Sequence, residues 1–315
     1  MEDLLWLWKV SSKICDNKSS CTNWYARIYN RIRILKNRLI FMTKAIYYKN
    51  ALRPFLHSIE NSPINKLIVQ RPETVGAIVW PYQSISWDVV IRLKKIEAHY
   101  RVIQEDFPAL DFPVSESLDI ANLGDMYENL HVVIDRPKWF IREGQLVINL
   151  FLADVRIYSL AFSLSREAGQ LVAYVGALQG RNIDGVLDVY KDITKVLHGS
   201  RPQDFLFEIF RIFCRTIGVL KIFAVADLSR LHKSDYFSKK GASVTSTSSY
   251  DRVWFERGGT LDLPDFFTLS VNPHMKNIEE IPSNKRSMYN KRYRLLETVE
   301  VQLRRSYMQL TERRV

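Results

Sequence analysis

Cysteine, glycine and proline are all scarce in this chain: three, twelve and eleven among 315 residues. Cys15, Cys21 and Cys214 are too few, and odd in number, for a disulfide framework. Cys15 and Cys21 have no second His/Cys pair to complete a four-ligand zinc site, so no metal is expected. Cys214 falls in an apolar helical run and reads as a buried structural thiol. So little glycine and proline excludes a long low-complexity segment. Long hydrophobic runs are missing as well. The stretch Leu4-Leu5-Trp6-Leu7-Trp8 is short and is preceded by acids rather than bases, unlike a signal peptide. No run approaches the roughly 20 apolar residues that span a bilayer. The chain is therefore expected in the cytoplasm, where it could lie on the inner membrane.

What is present is apolar residue and positive charge. Hydrophobic residues make up 47% of the chain, enough for a sizeable core, and the formal net charge is +11. That balance favours an anionic partner: an acidic membrane surface, nucleic acid or a phosphorylated substrate. Acid is absent from residues 24–53, which carry eight bases: Arg27, Arg31, Arg33, Lys36, Arg38, Lys44, Lys49 and Arg53. Trp24, Ile28, Ile32, Leu35, Leu39, Met42 and Ile46 recur there at helical spacing. Such a helix can rest on anionic lipid, with Arg27, Arg31 and Arg38 as membrane contacts. Alternatively its apolar stripe packs on the main domain and its bases are only solvated.

Further along, four prolines between residues 54 and 82 predict turns and short pieces. A helix follows over 85–104, then an acidic, loop-like stretch over 105–130. Gln145–Leu152, Arg156–Leu164 and Gln170–Leu178 alternate like strands, and the short turns between them require an antiparallel meander. Helices are expected over 184–197 and 203–217, the second opened by Pro202 and ended by Gly218. Strands are expected over 219–226, 253–256 and 267–271, and a basic helix over 284–310. The implied fold is α/β (α+β): a mainly antiparallel central sheet with flanking helices and a basic N-terminal helical region. Four regions are expected: residues 1–53 basic and helical, 54–142 helical and loop-like, 143–283 the α/β core, and 284–315 a basic helix.

Three stretches stand out as motifs. They are Val175-Gly176-Ala177-Leu178-Gln179-Gly180, Leu197-His198-Gly199-Ser200-Arg201-Pro202, and Glu280-Ile281-Pro282-Ser283-Asn284-Lys285-Arg286 with Tyr289-Asn290-Lys291-Arg292-Tyr293. Tyr250-Asp251-Arg252-Val253-Trp254 and Gly258-Gly259 lie between the last two. In that order and spacing they resemble the VirK/YbjX family of Gram-negative bacteria, and most closely its virulence-associated VirK branch, over roughly residues 90–300. The resemblance implies envelope biology: virulence, surface display of outer-membrane factors and resistance to cationic antimicrobial peptides. Some relatives are regarded as membrane-associated, and an envelope-assembly or outer-membrane virulence factor is an implied partner. No reaction, cofactor or catalytic residue comes with it.

The residues themselves offer candidates. His198-Gly199-Ser200-Arg201 leads into a helix N-terminus, where free N–H groups and Arg201 could hold a phosphate or carboxylate. His198 is a candidate general base; the alternative is a structural turn whose Arg201 pairs with a nearby acid. Gln179 and Gly180 end a strand, where ligands often meet an α/β sheet. Lys285, Arg286, Lys291 and Arg292 form a basic cluster that is either an anion site or a solvated face. Asp251 and Trp254 are either a polar–aromatic pair at a site or part of a strand entering the core. Meander, connector, helix and returning strand follow the order of GNAT-like acyltransferases, in which acyl-CoA is the cofactor. The glycine-rich pattern of that fold is absent, and helix 184–197 is an addition. Three functions follow: a peripheral envelope factor, an acyl- or aminoacyl-transferase acting on a lipid, glycolipid or protein, or a nucleic-acid-binding protein with charge but no known module.

Overall fold

The computed structural model describes residues 2–15, 24–182, 184–238, 249–273 and 277–314. The N-terminal part is helical: α1 (Glu2–Cys15), α2 (Trp24–Tyr47), α3 (Lys49–Leu56), α4 (Pro63–Gln70) and α5 (Val89–Asp106). The basic helix expected over 24–48 is α2; it ends at Tyr48 (φ −95°, ψ 22°), and the short α3 carries the last bases of the acid-free segment 24–53. Asp88 caps α5 by accepting from the Ile91 N–H at 2.8 Å.

The meander begins before Gln145, where alternation first predicts a strand. β1 (Ser117–Asn122) and β2 (Leu130–Asp135) precede β3 (Leu146–Leu152), β4 (Val155–Glu167) and β5 (Gln170–Gly180). The stretch expected to be loop over 105–130 therefore contains an edge strand, hidden by its acids and by a register shift between Asp119 and Ala121. Ala153, Ala168 and Gly169 supply the positive φ angles that tight hairpins need.

Next come α6 (Val186–Val196), α7 (Pro202–Thr216), β6 (Lys221–Val225), α8 (Asp235–Ser238), α9 (Tyr250–Phe255), β7 (Thr260–Leu263), β8 (Phe266–Ser270) and α10 (Ser283–Arg314). The strand expected over 253–256 is instead the end of α9. The Ser249 hydroxyl accepts from the Arg252 N–H at 3.3 Å and starts a helix there, overriding the β preference of Val253 and Trp254.

One eight-stranded sheet results, ordered β1-β2-β3-β4-β5-β6-β8-β7. Every pairing is antiparallel except β5 with β6, which the α6–α7 crossover makes parallel. α7 is the central helix. Phe205, Leu206, Phe207, Ile209, Phe210, Ile212, Phe213 and Cys214 are all buried along it. Phe210 meets Phe162 of β4 with ring centres 4.9 Å apart, Phe207 meets Trp254 at 5.5 Å, and Phe213 meets Tyr307 of α10 at 6.4 Å. Each such ring contributes about 2–3 kcal/mol by leaving water. Burial pushes the Cys214 thiol well above its ordinary pKa, consistent with a structural thiol. Cys15 is partly buried; Cys21 lies outside the described residues.

Candidate functional site

The connector between α6 and α7 is built by two consecutive left-handed residues, His198 (φ 52°) and Gly199 (φ 76°). Gly199 N–H bonds back to Thr194 O at 2.8 Å and closes the end of α6. A side chain at residue 199 would be strained by φ 76° and would crowd the ends of Met288 and Arg292 of α10, 3.0 and 3.2 Å away. Arg292 donates through Nη2 to the carbonyl of His198 at 2.9 Å and lies 4.7 Å from the ring of Tyr289. Two motifs 94 residues apart are thereby joined.

A cavity of about 220 Å³ opens between the start of α7, the end of α9 and α10; Ser200, Arg201 and Arg292 are in its wall. Its other arginines are already matched by acids. Arg201 Nε donates to Asp204 at 2.7 Å, and its Nη2 reaches Glu256 at 3.3 Å. The buried Arg257 pairs with the other oxygen of Asp204, and Arg211 with Glu208 at 2.8 Å. Bonding to Asp204 raises the Arg201 pKa, whereas desolvation lowers that of Arg257. Asp204 sits in the first turn of α7, so the helix start already faces a carboxylate of its own chain. The imidazole of His198 is half-buried and has no hydrogen-bond partner among the described residues.

Other sequence candidates lie elsewhere. Gln179 and Gly180 are exposed at the end of β5; a Cβ at residue 180 would come within 2.5 Å of Tyr190 Oη, so this glycine serves close packing. Lys285, Arg286 and Lys291 are exposed on α10, with Arg286 Nε capping the Ile281 carbonyl at 3.1 Å. Trp254 is buried and donates to Val225 O at 2.9 Å, while Asp251 accepts from the Asp227 N–H at 2.7 Å.

A second constellation left little trace in the sequence. Ala161 pairs with Ala177 and Phe162 with Val175, so Gly176 is an extra residue that bulges β5. A Cβ there would lie 2.1 Å from Glu143 O. β6 accompanies β5 only over Val172–Val175. Past the bulge, the N–H and C=O of Leu178 are both taken by the Tyr250 hydroxyl, at 2.8 and 2.9 Å. Beside the bulge is Gln83, fully buried and held in a left-handed backbone (φ 51°). Its Nε2 donates to Glu143 O at 3.2 Å and to Tyr174 O at 3.0 Å. Gln83 Oε1, Arg142 Nε and Glu143 Oε2 are all buried without a partner among the described residues. The Arg142 guanidinium stacks near Trp80, Tyr236 and Phe237 at 4.9, 5.3 and 5.1 Å. Burial raises the Glu143 carboxyl pKa to about 7, against the opposing pull of Arg142. The one sequence signal was Gly176 inside a strand, which marks a bulge.

The α2 surface is the third region. Ile34 is half-buried and Phe41 and Ala45 are buried; the latter two share the main core with Leu7 and Val10 of α1. On the opposite side Ile28, Ile32, Leu35, Leu39 and Ile46 are exposed. Arg31 is exposed, whereas Arg38 turns onto Trp8, its guanidinium 4.0 Å from the ring, and donates to Ser11 Oγ at 2.9 Å. The side chains of Trp24 and Arg27 lie outside the described residues. Among the described residues, no helix is long and apolar enough to cross a membrane.

Comparison with known proteins agrees with the ordered motifs. The family described as "Protein of unknown function (DUF535)" matches residues 30–305. The chain is 23% identical over 285 residues to the uncharacterized protein YbjX of Escherichia coli (strain K12), covering 89% of this chain and 84% of that one. It is 27% identical over 264 residues to an uncharacterized protein of Haemophilus influenzae, covering 80% and 85% respectively. No solved structure matches the chain. With the match spanning most of its length, the chain belongs to the DUF535 family, that of VirK and YbjX.

Proposed function

We propose that this protein is a peripheral envelope factor that docks on an anionic membrane surface through α2. In this reading it supports display of outer-membrane factors and resistance to cationic antimicrobial peptides, as its resemblance to VirK implies. One observation carries the docking: α2 is anchored by Phe41 and Ala45 while an apolar stripe on its other side faces outward. Arg31, Arg33 and Lys36 are exposed around that stripe, and no acid occurs over 24–53. A bilayer interface suits such a face, because acyl chains receive the apolar groups while lipid phosphates meet the bases. The test is co-sedimentation with anionic and with neutral vesicles, using the full chain and the double variant Leu35→Glu/Leu39→Glu. Salt-sensitive binding to anionic vesicles, lost in the variant, is the expected result. Equal pelleting of both proteins, or of neither, rejects the reading.

A second reading, an acyl- or aminoacyl-transferase, is favoured by a different observation. The one parallel pairing among the described strands, β5 with β6, ends at the bulge, and the two strands are joined by the α6–α7 crossover. A GNAT-like fold has the same order, and there the backbone amides at the helix start hold the pyrophosphate of acyl-CoA. Arg201 beside the start of α7 is then the phosphate-holding group, and saturable acetyl-CoA binding should weaken at least tenfold in Arg201→Ala.

A further inference from the structure

Eight buried side-chain polar atoms lack a partner among the described residues, and three of them belong to Gln83, Arg142 and Glu143. These residues are tied to one another through the backbone. Gln83 N–H donates to Arg142 O at 2.8 Å, and its amide to Glu143 O at 3.2 Å. Leaving a polar atom buried and unpaired costs about 1–3 kcal/mol, so three in one place are a large local expense. Gln83 adds a left-handed backbone, a conformation that bulky residues keep only when their surroundings enforce it. Strain and unmet hydrogen-bonding capacity thus coincide at the Gly176 bulge, where β5 leaves β6. Bulges of this kind often re-aim groups beside active sites.

We propose that this bulge is the reaction centre of a group transfer and that Glu143 is its proton-accepting catalytic residue. The inference rests on the acyl-transfer reading given above, and it moves the base from His198 to Glu143. An acyl thioester is the donor, and an amine or water is the acceptor. The acceptor's lone pair attacks the thioester carbonyl and its proton passes to the Glu143 carboxylate. The new C–N or C–O bond forms as the C–S bond breaks. The leaving thiolate then takes the proton from Glu143, which returns to its starting state. Gln83 Oε1 and Arg142 Nε, one acceptor and one donor, are available to orient the amine and the carbonyl.

The charged and titratable groups around Glu143 suit the task. Arg142 adjoins it in the chain and favours its ionised form, whereas Tyr82 and Tyr250 approach from two other segments. Arg230 stacks on the far ring, 3.6 Å from the centre of Tyr250. Burial, opposed by Arg142 and by backbone hydrogen bonds, leaves a carboxyl that changes protonation near neutrality, where a general base works best.

The experiment uses the full chain with acetyl-coenzyme A, and with water or lysine amide as acceptor. Binding and free-thiol release are measured across pH for wild type and Glu143→Gln. A side-chain carboxyl ¹³C titration of the wild-type protein, assigned by its loss in Glu143→Gln or in Glu143→Asp, is run in parallel. The expected result is thiol release that rises with pH through about 7. It should fall roughly 100-fold in Glu143→Gln while acetyl-coenzyme A binding persists. Binding without release, or release unchanged by the substitution, overturns the role of Glu143 and leaves the transfer fold reading standing. Absence of acetyl-coenzyme A binding to wild type defeats that reading and this inference together. A Glu143 carboxyl that titrates in the ordinary carboxylate range overturns the inference even if the variant fails to fold.

Discussion

α7 and α2 carry the same kind of signal in the chain, an apolar stripe at helical spacing interrupted by arginines, yet they end in opposite places. α7 is covered on nearly every side: β4, α9 and α10 close over it, and even Arg211 is only 2% exposed. α2 is held by one narrow face, while Ile32, Leu35 and Leu39 are 63%, 50% and 53% exposed. Apolar periodicity therefore names a helix and its stripe without naming what covers the stripe. The polar groups divide in a similar way. In the cavity beside α7, Arg201, Arg211 and Arg257 are matched by acids of the same chain, whereas at the Gly176 bulge an acid, an amide and a guanidinium each keep an atom unpaired among the described residues. The first arrangement suits holding a fold together, and the second suits meeting something from outside.

The largest expected effect is on the covered helix. Phe210→Ala should lower unfolding stability by about 3–5 kcal/mol, because a fully buried ring leaves a cavity against Phe162. Denaturant melts would check it, and a loss below about 1 kcal/mol would break the contrast with α2.

Glu143→Gln should act through pH. Burial lifts this carboxyl from its ordinary value of 4.5 to about 7. Between those values the folded state keeps a proton that the unfolded chain has released, so stability falls as pH rises through that window. The amide removes the loss. The variant should match wild type near pH 4 and exceed it above pH 7, by up to about 3 kcal/mol in melts at the two pH values.

Asp204→Ala comes next. It strips Arg257 of its carboxylate while that guanidinium stays buried, which should cost about 2 kcal/mol. Arg201→Ala, at the exposed end of the same ladder, should cost less than about 1 kcal/mol. Equal losses would mean that the cavity is not organised around the buried pair.

The smallest stability effect is expected on the open stripe. Leu35→Glu with Leu39→Glu should shift stability by no more than about 0.5 kcal/mol, since neither leucine is covered. The same variant is the one expected to lose anionic-vesicle binding. A large drop in stability would show that the stripe is packed after all.

Local chemistry explains which elements were legible. Pro202 at the start of α7 and Gly218 (φ 76°) after its end bound that helix visibly. Alternation and short turns exposed β3, β4 and β5. β1 was obscured because its alternation is broken at the bulge near Ile120 and its surroundings are acidic. α9 was misread because Val253, Trp254 and Phe255 favour strands, while the decisive cap, Ser249, lies one residue before the helix begins. At the candidate sites, Ser200, Arg201 and Arg292 stood out in the sequence and share a cavity. Glu143 and Gln83 did not stand out: a single Glu and a single Gln, 60 residues apart, leave no spacing to read.

By itself, then, the chain determined its long helices α2, α5, α6, α7 and α10, the β3–β5 hairpins, its basic N-terminal segment and its family. Those follow from propensities, caps and turns that act over a few neighbouring residues, and from motifs kept in order. Only the tertiary structure decided which apolar stripe would be covered, which arginines would find acids and which buried polar atoms would be left without partners. Each of those outcomes depends on what a distant segment brings across the sheet. The α6–α7 crossover sets β6 against one end of β5 and leaves the other end to Tyr250, and no local preference encodes that meeting.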